Sequence, residues 1–201
     1  MSRQGAIGLT GGIACGKSEV AGFLSEFGVP VLDTDLVAHG LLEPKRQVFE
    51  KVVQAFGKEY LNEEGTVDRR KLGSFVFANK DALKKLNSIM HPEVFLEIDR
   101  WLTATLKDHK YAVVMIPLLY ETASEGRFDK VIVVASDDDH VEQRMKARGL
   151  TREESQSRIH AQMRVEEKAA KTDFVVWNNG DLQELKDNTV KLWNTKILER
   201  N

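Results

Sequence analysis

The chain is poor in cysteine and nearly without net charge, and each shortage excludes a class of protein. One cysteine among 201 residues can form no internal disulfide and has no neighbouring thiol with which to build a zinc site. Basic and acidic residues nearly balance, at 29 and 31, so the strongly basic character typical of nucleic-acid binding is missing. With 14 glycines and 4 prolines, a collagen-like or linker-dominated chain is also excluded.

Long apolar runs are absent as well. The apolar stretch near the N-terminus is too short for a signal peptide, and no later run approaches the roughly 18 residues of a membrane span. The lone cysteine favours a reducing compartment. We therefore expect a cytoplasmic protein that binds neither nucleic acid nor membrane.

A glycine-rich segment near the N-terminus is the most informative motif. Residues 6–10 predict a buried strand, residues 11–18 read G-G-I-A-C-G-K-S, and residues 19–27 have helical periodicity. This is the G-x-x-x-x-G-K-[ST] pattern in its strand-to-helix context, which predicts a phosphate-binding loop, or P-loop. Backbone N–H groups and the helix N-terminus favour anions there, so we expect ATP to bind.

Two side chains of the loop have predicted roles of their own. Lys17 would reach the β- and γ-phosphates, and the Ser18 hydroxyl would bind Mg²⁺. Cys15 is predicted to fill a slot for a small residue rather than act as a nucleophile, although a helix N-terminus can lower a thiol pKa. The full set of predicted nucleotide contacts is Gly11, Gly12, Ile13, Ala14, Cys15, Gly16, Lys17, Ser18 and Glu19.

An acidic pair follows the second apolar segment. Residues 29–32 predict a strand that ends at Asp33, and ligands of open parallel sheets lie at the carboxyl ends of strands. Asp33 is predicted to act as general base towards a hydroxyl acceptor or as an indirect Mg²⁺ ligand. The alternative is N-capping of a helix that begins at Leu36, a role that we assign mainly to Asp35.

Five apolar segments predict an α/β fold with five parallel strands, at residues 5–10, 29–33, 112–116, 131–135 and 174–177. The nearly eighty residues between Asp33 and residue 112 carry helical stripes, one of which is broken by His91-Pro92. Such an insertion is a place where a phosphate acceptor could be received.

The P-loop alone leaves several classes open. The chain has no D-x-x-G switch and no N-K-x-D guanine motif, and the strand at 112–116 does not end in the Asp-Glu of motor ATPases. A small-molecule kinase fits best. A kinase for a nucleoside or nucleoside monophosphate and a nucleotide-dependent switch protein are the alternatives.

The detailed pattern resembles one family, dephospho-coenzyme A kinase. The likeness runs from residue 5 to about residue 180. Its segments are residues 7–13, 31–35, 65–70, 76–79, 86–87, 91–92, 117–121, Arg144 with Arg148, Gln162, Asp173 and residues 178–180.

The resemblance implies a function and an architecture. The family transfers the ATP γ-phosphate to the ribose 3′-hydroxyl of dephospho-CoA, with Asp33 as general base. The implied fold is the three-layer fold of P-loop nucleoside triphosphate hydrolases. It has a nucleotide core (1–34, 111–137 and 165–201), a helical CoA-substrate-binding region (35–110) and a helical lid (138–164). The small molecules ATP and dephospho-CoA are the expected partners of a monomer or weak homo-oligomer.

Further binding residues follow from this assignment. Arginine suits bidentate phosphate contacts, so Arg69 and Arg70 are candidates for the substrate pyrophosphate, with a solvated charge cluster as the alternative. His91 is an equally balanced candidate, because His-Pro can also simply shape a bend. The resemblance adds Leu118 and Leu119 to the substrate contacts.

The lid and the last strand supply the remaining candidates. Arg144 and Arg148 lie four residues apart and would stabilise the transferring phosphoryl group, with surface ion pairing as the alternative. A second lid helix is expected after Thr151, with Arg152, Arg158 and Arg164 in it. The turn of Asn178, Asn179 and Gly180 would meet the adenine edge or serve only as a turn.

The P-loop departs from the family's usual G-G-I-G-S-G-K-S. Ala14 and Cys15 stand where glycine and serine are usual, and Glu19 replaces threonine. Ala14 matters most, because alanine adopts a positive φ less readily than glycine. We expect a modest effect on affinity rather than lost activity.

Overall fold

A five-stranded sheet organises the computed structural model, which describes residues 3–198. Its strands are β1 (Arg3–Gly11), β2 (Val31–Asp33), β3 (Ala112–Met115), β4 (Phe128–Ala135) and β5 (Phe174–Trp177). Their order is β2-β3-β1-β4-β5, with β1 parallel to both β3 and β4, and β4 parallel to β5. The predicted α/β fold and its five strands are confirmed.

Nine α-helices connect and flank the strands in the described residues. They are α1 (Lys17–Glu26), α2 (Thr34–Leu41), α3 (Gln47–Phe56), α4 (Arg69–Ala78), α5 (Lys80–Thr105), α6 (Asp138–Ala147), α7 (Arg152–His160), α8 (Val165–Lys171) and α9 (Leu182–Leu192). Short 3₁₀ turns occur at Lys58–Tyr60 and Glu125–Arg127, and a π-helical segment, Trp193–Leu198, follows α9. None of the helices within residues 3–198 has the length and apolarity that crossing a bilayer requires. The cytoplasmic location stays a prediction.

Residue contacts divide the chain into two compact units. One unit combines the described residues up to Leu32 with those from Ala104 onward, and the other is Asp33–Thr103. The first unit has a core of strand and helix side chains that includes Ile7, Val20 and Val113, all at most 1% exposed. The second, mainly helical unit has its own core, in which Val48 and Leu72 are buried. Each unit therefore has the buried apolar core of an independent packing unit.

Two expectations about the helices were wrong. α5 continues through His91 and Pro92 as one helix, whereas a break was expected there. Met90, Ile98 and Leu102 are buried on either side of the proline, and this packing outweighs the loss of one backbone hydrogen bond. α2 begins at Thr34 rather than Leu36, and its N-cap is Asp33 rather than Asp35.

Candidate active site

The P-loop connects β1 to α1 at the centre of the sheet, where β1 lies between β3 and β4. β1 ends at Gly11 and α1 begins at Lys17, so the predicted strand-to-helix context is confirmed. Gly16 is the N-cap of α1 with φ +97°, and a Cβ at this position would meet the Asn178 side-chain amide. Glycine is thus required at position 16 both by the backbone conformation and by the space.

The Lys17 ammonium folds back over the loop. Its Nζ donates to the carbonyl of Gly12 at 2.7 Å and to that of Gly11 at 3.4 Å. Ser18 lies next to it in the first turn of α1, with an exposed side chain. The predicted phosphate and metal ligands are therefore adjacent at a helix N-terminus, whose partial positive charge favours a phosphate.

Ala14 adopts a left-handed backbone conformation, which costs more free energy for alanine than for glycine. Its φ is +55°, and its side chain is 6% exposed. The positive φ that made Ala14 a notable departure in the sequence is therefore present in the folded loop. An alanine in this conformation carries a strain of about 1–2 kcal/mol that glycine would not have.

Cys15 is buried in the same loop, at 1% exposure. Burial raises the pKa of its thiol above the ordinary value, and this effect outweighs the nearby positive charges of Lys17 and Arg144. A buried neutral thiol fits the predicted role of a small side chain that fills space.

Arg144 of α6 ties the loop to the end of β5. Its Nη1 donates to the Ala14 carbonyl at 3.4 Å, and its Nη2 donates to the Asn178 carbonyl at 2.8 Å. The Asn178 amide in turn donates to the Cys15 carbonyl at 2.9 Å. Two predicted site residues, Arg144 and Asn178, are thus part of one hydrogen-bond network with the P-loop.

The neighbouring Asn179 fixes the other side of this turn. Its side-chain oxygen accepts from the backbone N–H of Asp137, at 2.9 Å, and its amide donates to the Asp137 carboxylate, at 2.8 Å. The exposed Gly180 then leads directly to α9, whose N-cap is Asp181. The segment after β5 is a strand-to-helix connection next to the P-loop. Adenine contacts there stay a prediction.

The other lid arginines are exposed, and one of them lies outside the helix expected for it. Arg148 is the exposed C-cap of α6, so it does not share the inward position of Arg144. Arg152 pairs with Glu142 at 3.3 Å, which is the surface ion pair of the alternative interpretation. Arg164 is outside the second lid helix, because α7 ends at His160 and Arg164 is the N-cap of α8.

A cavity of about 390 Å³ lies beside the P-loop in the first unit. Gly12 and Cys15 line it from the loop, and Gln162 and Met163 line it from the segment after α7. The Gln162 side-chain oxygen is buried without a hydrogen-bond partner. A cavity of mixed lining that contains an unsatisfied acceptor next to a phosphate-binding loop is suited to a ligand with both polar and apolar parts.

The substrate candidates occupy different environments. Arg69 and Arg70 are exposed in the first turn of α4, where Asp68 is the N-cap. His91 is half-buried in α5, and burial lowers the pKa of its imidazole. Leu118 is 41% exposed, whereas Leu119 is fully buried and its side chain packs against Gly8, which explains Leu119 as a core residue.

Asp33 lies at the carboxyl end of β2, as predicted. Its Oδ1 accepts from the backbone N–H of Asp35 at 2.8 Å, the bond that caps α2. The general base and the helix cap, considered above as alternatives, are thus compatible roles of one residue. Only one carboxylate oxygen is needed for the cap.

One buried cation has no local signal in the sequence. Lys168 of α8 is 0% exposed and pairs with Glu121, with 2.8 Å between Nζ and Oε1. Its neighbours are Glu166, Glu167 and Lys171, so the local pattern is that of a solvated helix face. Its proximity to Pro117, in a segment that the family resemblance had marked, is visible only in three dimensions.

Comparisons with known proteins agree with one another. The family model of dephospho-CoA kinase matches residues 5–184. A dephospho-CoA kinase of Bacillus cereus is 41% identical over 193 residues, which cover 94% of this chain and 96% of the relative.

Solved structures extend the likeness. A crystal structure of a Thermus thermophilus protein superposes with a TM-score of 0.83 at 35% identity, covering 96% of this chain and 97% of the other. The dephospho-CoA kinase of Campylobacter jejuni superposes with a TM-score of 0.73 at 29% identity, covering 96% of each chain. These matches and the P-loop site lead to one conclusion: the chain belongs to the dephospho-CoA kinase family.

Proposed function

We propose that this chain transfers the γ-phosphoryl group of ATP to the ribose 3′-hydroxyl of dephospho-CoA, giving CoA and ADP. The observation that carries this proposal is the family match over residues 5–184, which includes the P-loop unit and the helical unit of Asp33–Thr103. A P-loop alone specifies a nucleotide and leaves the acceptor open.

The reaction is an in-line displacement at the γ-phosphorus. The bond between this phosphorus and the oxygen bridging it to the β-phosphate breaks, and a bond to the 3′-oxygen forms. Asp33 accepts the proton of the 3′-hydroxyl, and Lys17 moves from the Gly12 carbonyl to the β- and γ-phosphates. ADP leaves with the electron pair of the broken bond.

The residues of the site fit a magnesium ion that arrives with the nucleotide. No cluster of three or more His, Cys, Asp or Glu side chains able to hold a metal occurs within residues 3–198, so these residues form no dedicated cage. Magnesium typically takes one or two protein oxygens together with substrate phosphates, and the exposed Ser18 hydroxyl is suitably placed at the loop. When bound, the ion would neutralise charge on the β- and γ-phosphates.

We assign the other predicted residues by their chemistry. Arg69, Arg70 and His91 would bind the acceptor from the helical unit, with the exposed Leu118 as a further contact. Residues 138–164 would act as a lid, in which the exposed Arg148 reaches the transferring phosphoryl group on closure and Arg144 holds the loop in shape.

An acceptor panel tests the proposal. ADP release is measured with ATP, Mg²⁺ and a series of acceptors, namely dephospho-CoA, nucleosides and nucleoside monophosphates, and the phosphorylated product is identified by mass. Turnover with dephospho-CoA, nearly abolished in Lys17→Ala, is the expected result. Turnover with a nucleoside but not with dephospho-CoA would contradict the proposal and support the alternative kinase.

A further inference from the structure

Lys168 is a fully buried cation whose role the chemistry above does not explain. It lies in α8 and is 0% exposed. A lysine is almost never fully buried unless its charge is paired, because removal of an ammonium group from water costs several kcal/mol. A hydrophobic residue would fill the same volume without that cost.

Every hydrogen of the Lys168 ammonium has an acceptor. Nζ donates to Glu121 Oε1 at 2.8 Å, to the Pro117 carbonyl at 3.2 Å and, at the outer limit of a hydrogen bond, to the Gly11 carbonyl at 3.5 Å. An ammonium group has three donors and no acceptor, so this set satisfies it. We call these four groups the Lys168 cluster.

The cluster connects three segments that adjoin the P-loop. Gly11 is the first residue of the loop, and its carbonyl also accepts from Lys17. Pro117 follows β3, and its carbonyl also accepts from the Thr10 hydroxyl at 3.2 Å. Glu121 Oε1 accepts at 2.8 Å from the backbone N–H of Met163, which lines the cavity beside the loop.

We propose that Lys168 is a positioning residue that, through Glu121, holds the base of the lid segment and the entrance of the P-loop in the geometry that phosphoryl transfer requires. This proposal rests on the proposed function. Lys17 can leave the Gly11 carbonyl for a phosphate while Lys168 continues to hold that carbonyl. The loop is therefore kept in its binding shape when its catalytic lysine moves.

The test separates positioning from stability. In the double variant Lys168→Met/Glu121→Gln both charges are removed at nearly unchanged volume, and an amide oxygen is left for the Met163 N–H. Because no unpaired charge is buried, this variant should unfold within about 4 °C of the wild type. Its kcat with dephospho-CoA should nevertheless fall by about 10–100-fold, because the two carbonyls have lost their common donor.

Nucleotide binding gives a readout that does not depend on the acceptor. We expect the dissociation constant of ADP, measured by calorimetry, to rise by about fivefold or more in the double variant. If the wild type bound ADP but did not phosphorylate dephospho-CoA, the proposed function would be wrong. The ADP dissociation constant of the double variant would still test the role of Lys168. A double variant with wild-type kcat and ADP affinity would overturn the inference.

Two further variants complete the experiment. Lys186→Met/Glu26→Gln is the matched control, because it removes an exposed ion pair of 2.7 Å from the same unit and should change neither constant. If the double variant does not fold, Lys168→Arg tests the positioning role instead. Arginine retains the positive charge beside Glu121 but cannot donate three hydrogen bonds from one nitrogen atom. Weaker ADP binding in folded Lys168→Arg supports positioning, and unchanged binding refutes it.

Discussion

Asp33 combines a structural and a chemical role in one carboxylate, and the two can be separated. Its Oδ1 caps α2, so replacement by alanine would change both stability and activity. Asparagine caps helices as well as aspartate does but cannot take a proton. We therefore predict that Asp33→Asn unfolds within about 2 °C of the wild type, while kcat falls by about 10²–10⁴.

Steady-state kinetics with dephospho-CoA and thermal unfolding check this prediction. Asp35→Asn is the matched control, because Asp35 is exposed and contributes its backbone N–H to the cap. Wild-type kcat in Asp33→Asn would rule out Asp33 as the general base.

Ala14 gives a prediction about backbone strain. At φ +55° a β-branched side chain is more strained than alanine, so Ala14→Val should lower the free energy of unfolding by about 2 kcal/mol or more. For Ala14→Gly, a strain relief of about 1–2 kcal/mol is offset by a more flexible unfolded chain and a lost buried methyl group, so the net change should be below about 1 kcal/mol. Denaturant unfolding of the three proteins measures both. Equal stability of the valine variant would show that the strain is absent.

The positions of single residues could be predicted from the sequence where a motif specifies both the backbone conformation and the side-chain chemistry. The P-loop residues occur in the expected context because glycine spacing, lysine and serine all specify one geometry. Arg148 is the exposed C-cap of α6, with its backbone N–H still bonded to the Arg144 carbonyl, and its catalytic role stays a prediction. Lys168 had no local signal, because its burial depends on contacts with Gly11 and Pro117, which are distant in sequence.

At the scale of elements, α7 carries a capping box that makes it sensitive to acid. The Glu154 N–H donates to the Thr151 hydroxyl at 3.2 Å, and the Glu154 carboxylate accepts from the Thr151 N–H at 2.8 Å. These hydrogen bonds from Thr151 lower the pKa of Glu154 below its ordinary value. The stabilisation is therefore complete above the ordinary glutamate pKa and is lost as the pH falls through the lowered value in the folded protein.

Thr151→Ala tests this cap. We expect amide exchange at Glu154, measured by NMR at neutral pH, to become about fivefold faster, because a lost N-cap destabilises the first turn. On acidification the wild-type amide should exchange faster as the Glu154 carboxylate is protonated, and the variant should show a smaller change, because alanine keeps the backbone N–H donor of residue 151 and lacks only the hydroxyl. Equal rates in both proteins at neutral pH would show that the box does not stabilise α7.

The ends of helices and strands depend on tertiary packing as well as on local sequence signals. The strands were predictable because short apolar runs bounded by polar residues match buried parallel strands, although β4 begins three residues before the predicted 131. α5 was not predictable as one helix, because a proline is a local break signal while the buried residues on either side of it act through tertiary contacts. α2 starts early because Asp33 itself provides the cap.

At the scale of the whole molecule, two units with separate cores predict separable responses to ligands. A ligand that binds only the folded form stabilises it by about 2.7 kcal/mol at a hundredfold excess over its dissociation constant. We expect ADP to slow hydrogen exchange chiefly in peptides from the first unit, around residues 11–18, and CoA to slow it in Asp33–Thr103 as well. Exchange monitored by mass spectrometry measures this. Equal protection of both units by ADP alone would contradict the assignment.

The buried Cys15 also makes the P-loop a site that can report on its own motion. It is the one thiol in the chain and is 1% exposed, so a disulfide reagent can modify the native protein only after the loop has opened. When closing is slower than labelling, the labelling rate equals the opening rate of the loop. The thiol therefore reports the opening rate of the loop without any added probe, and saturation with ADP should slow its labelling.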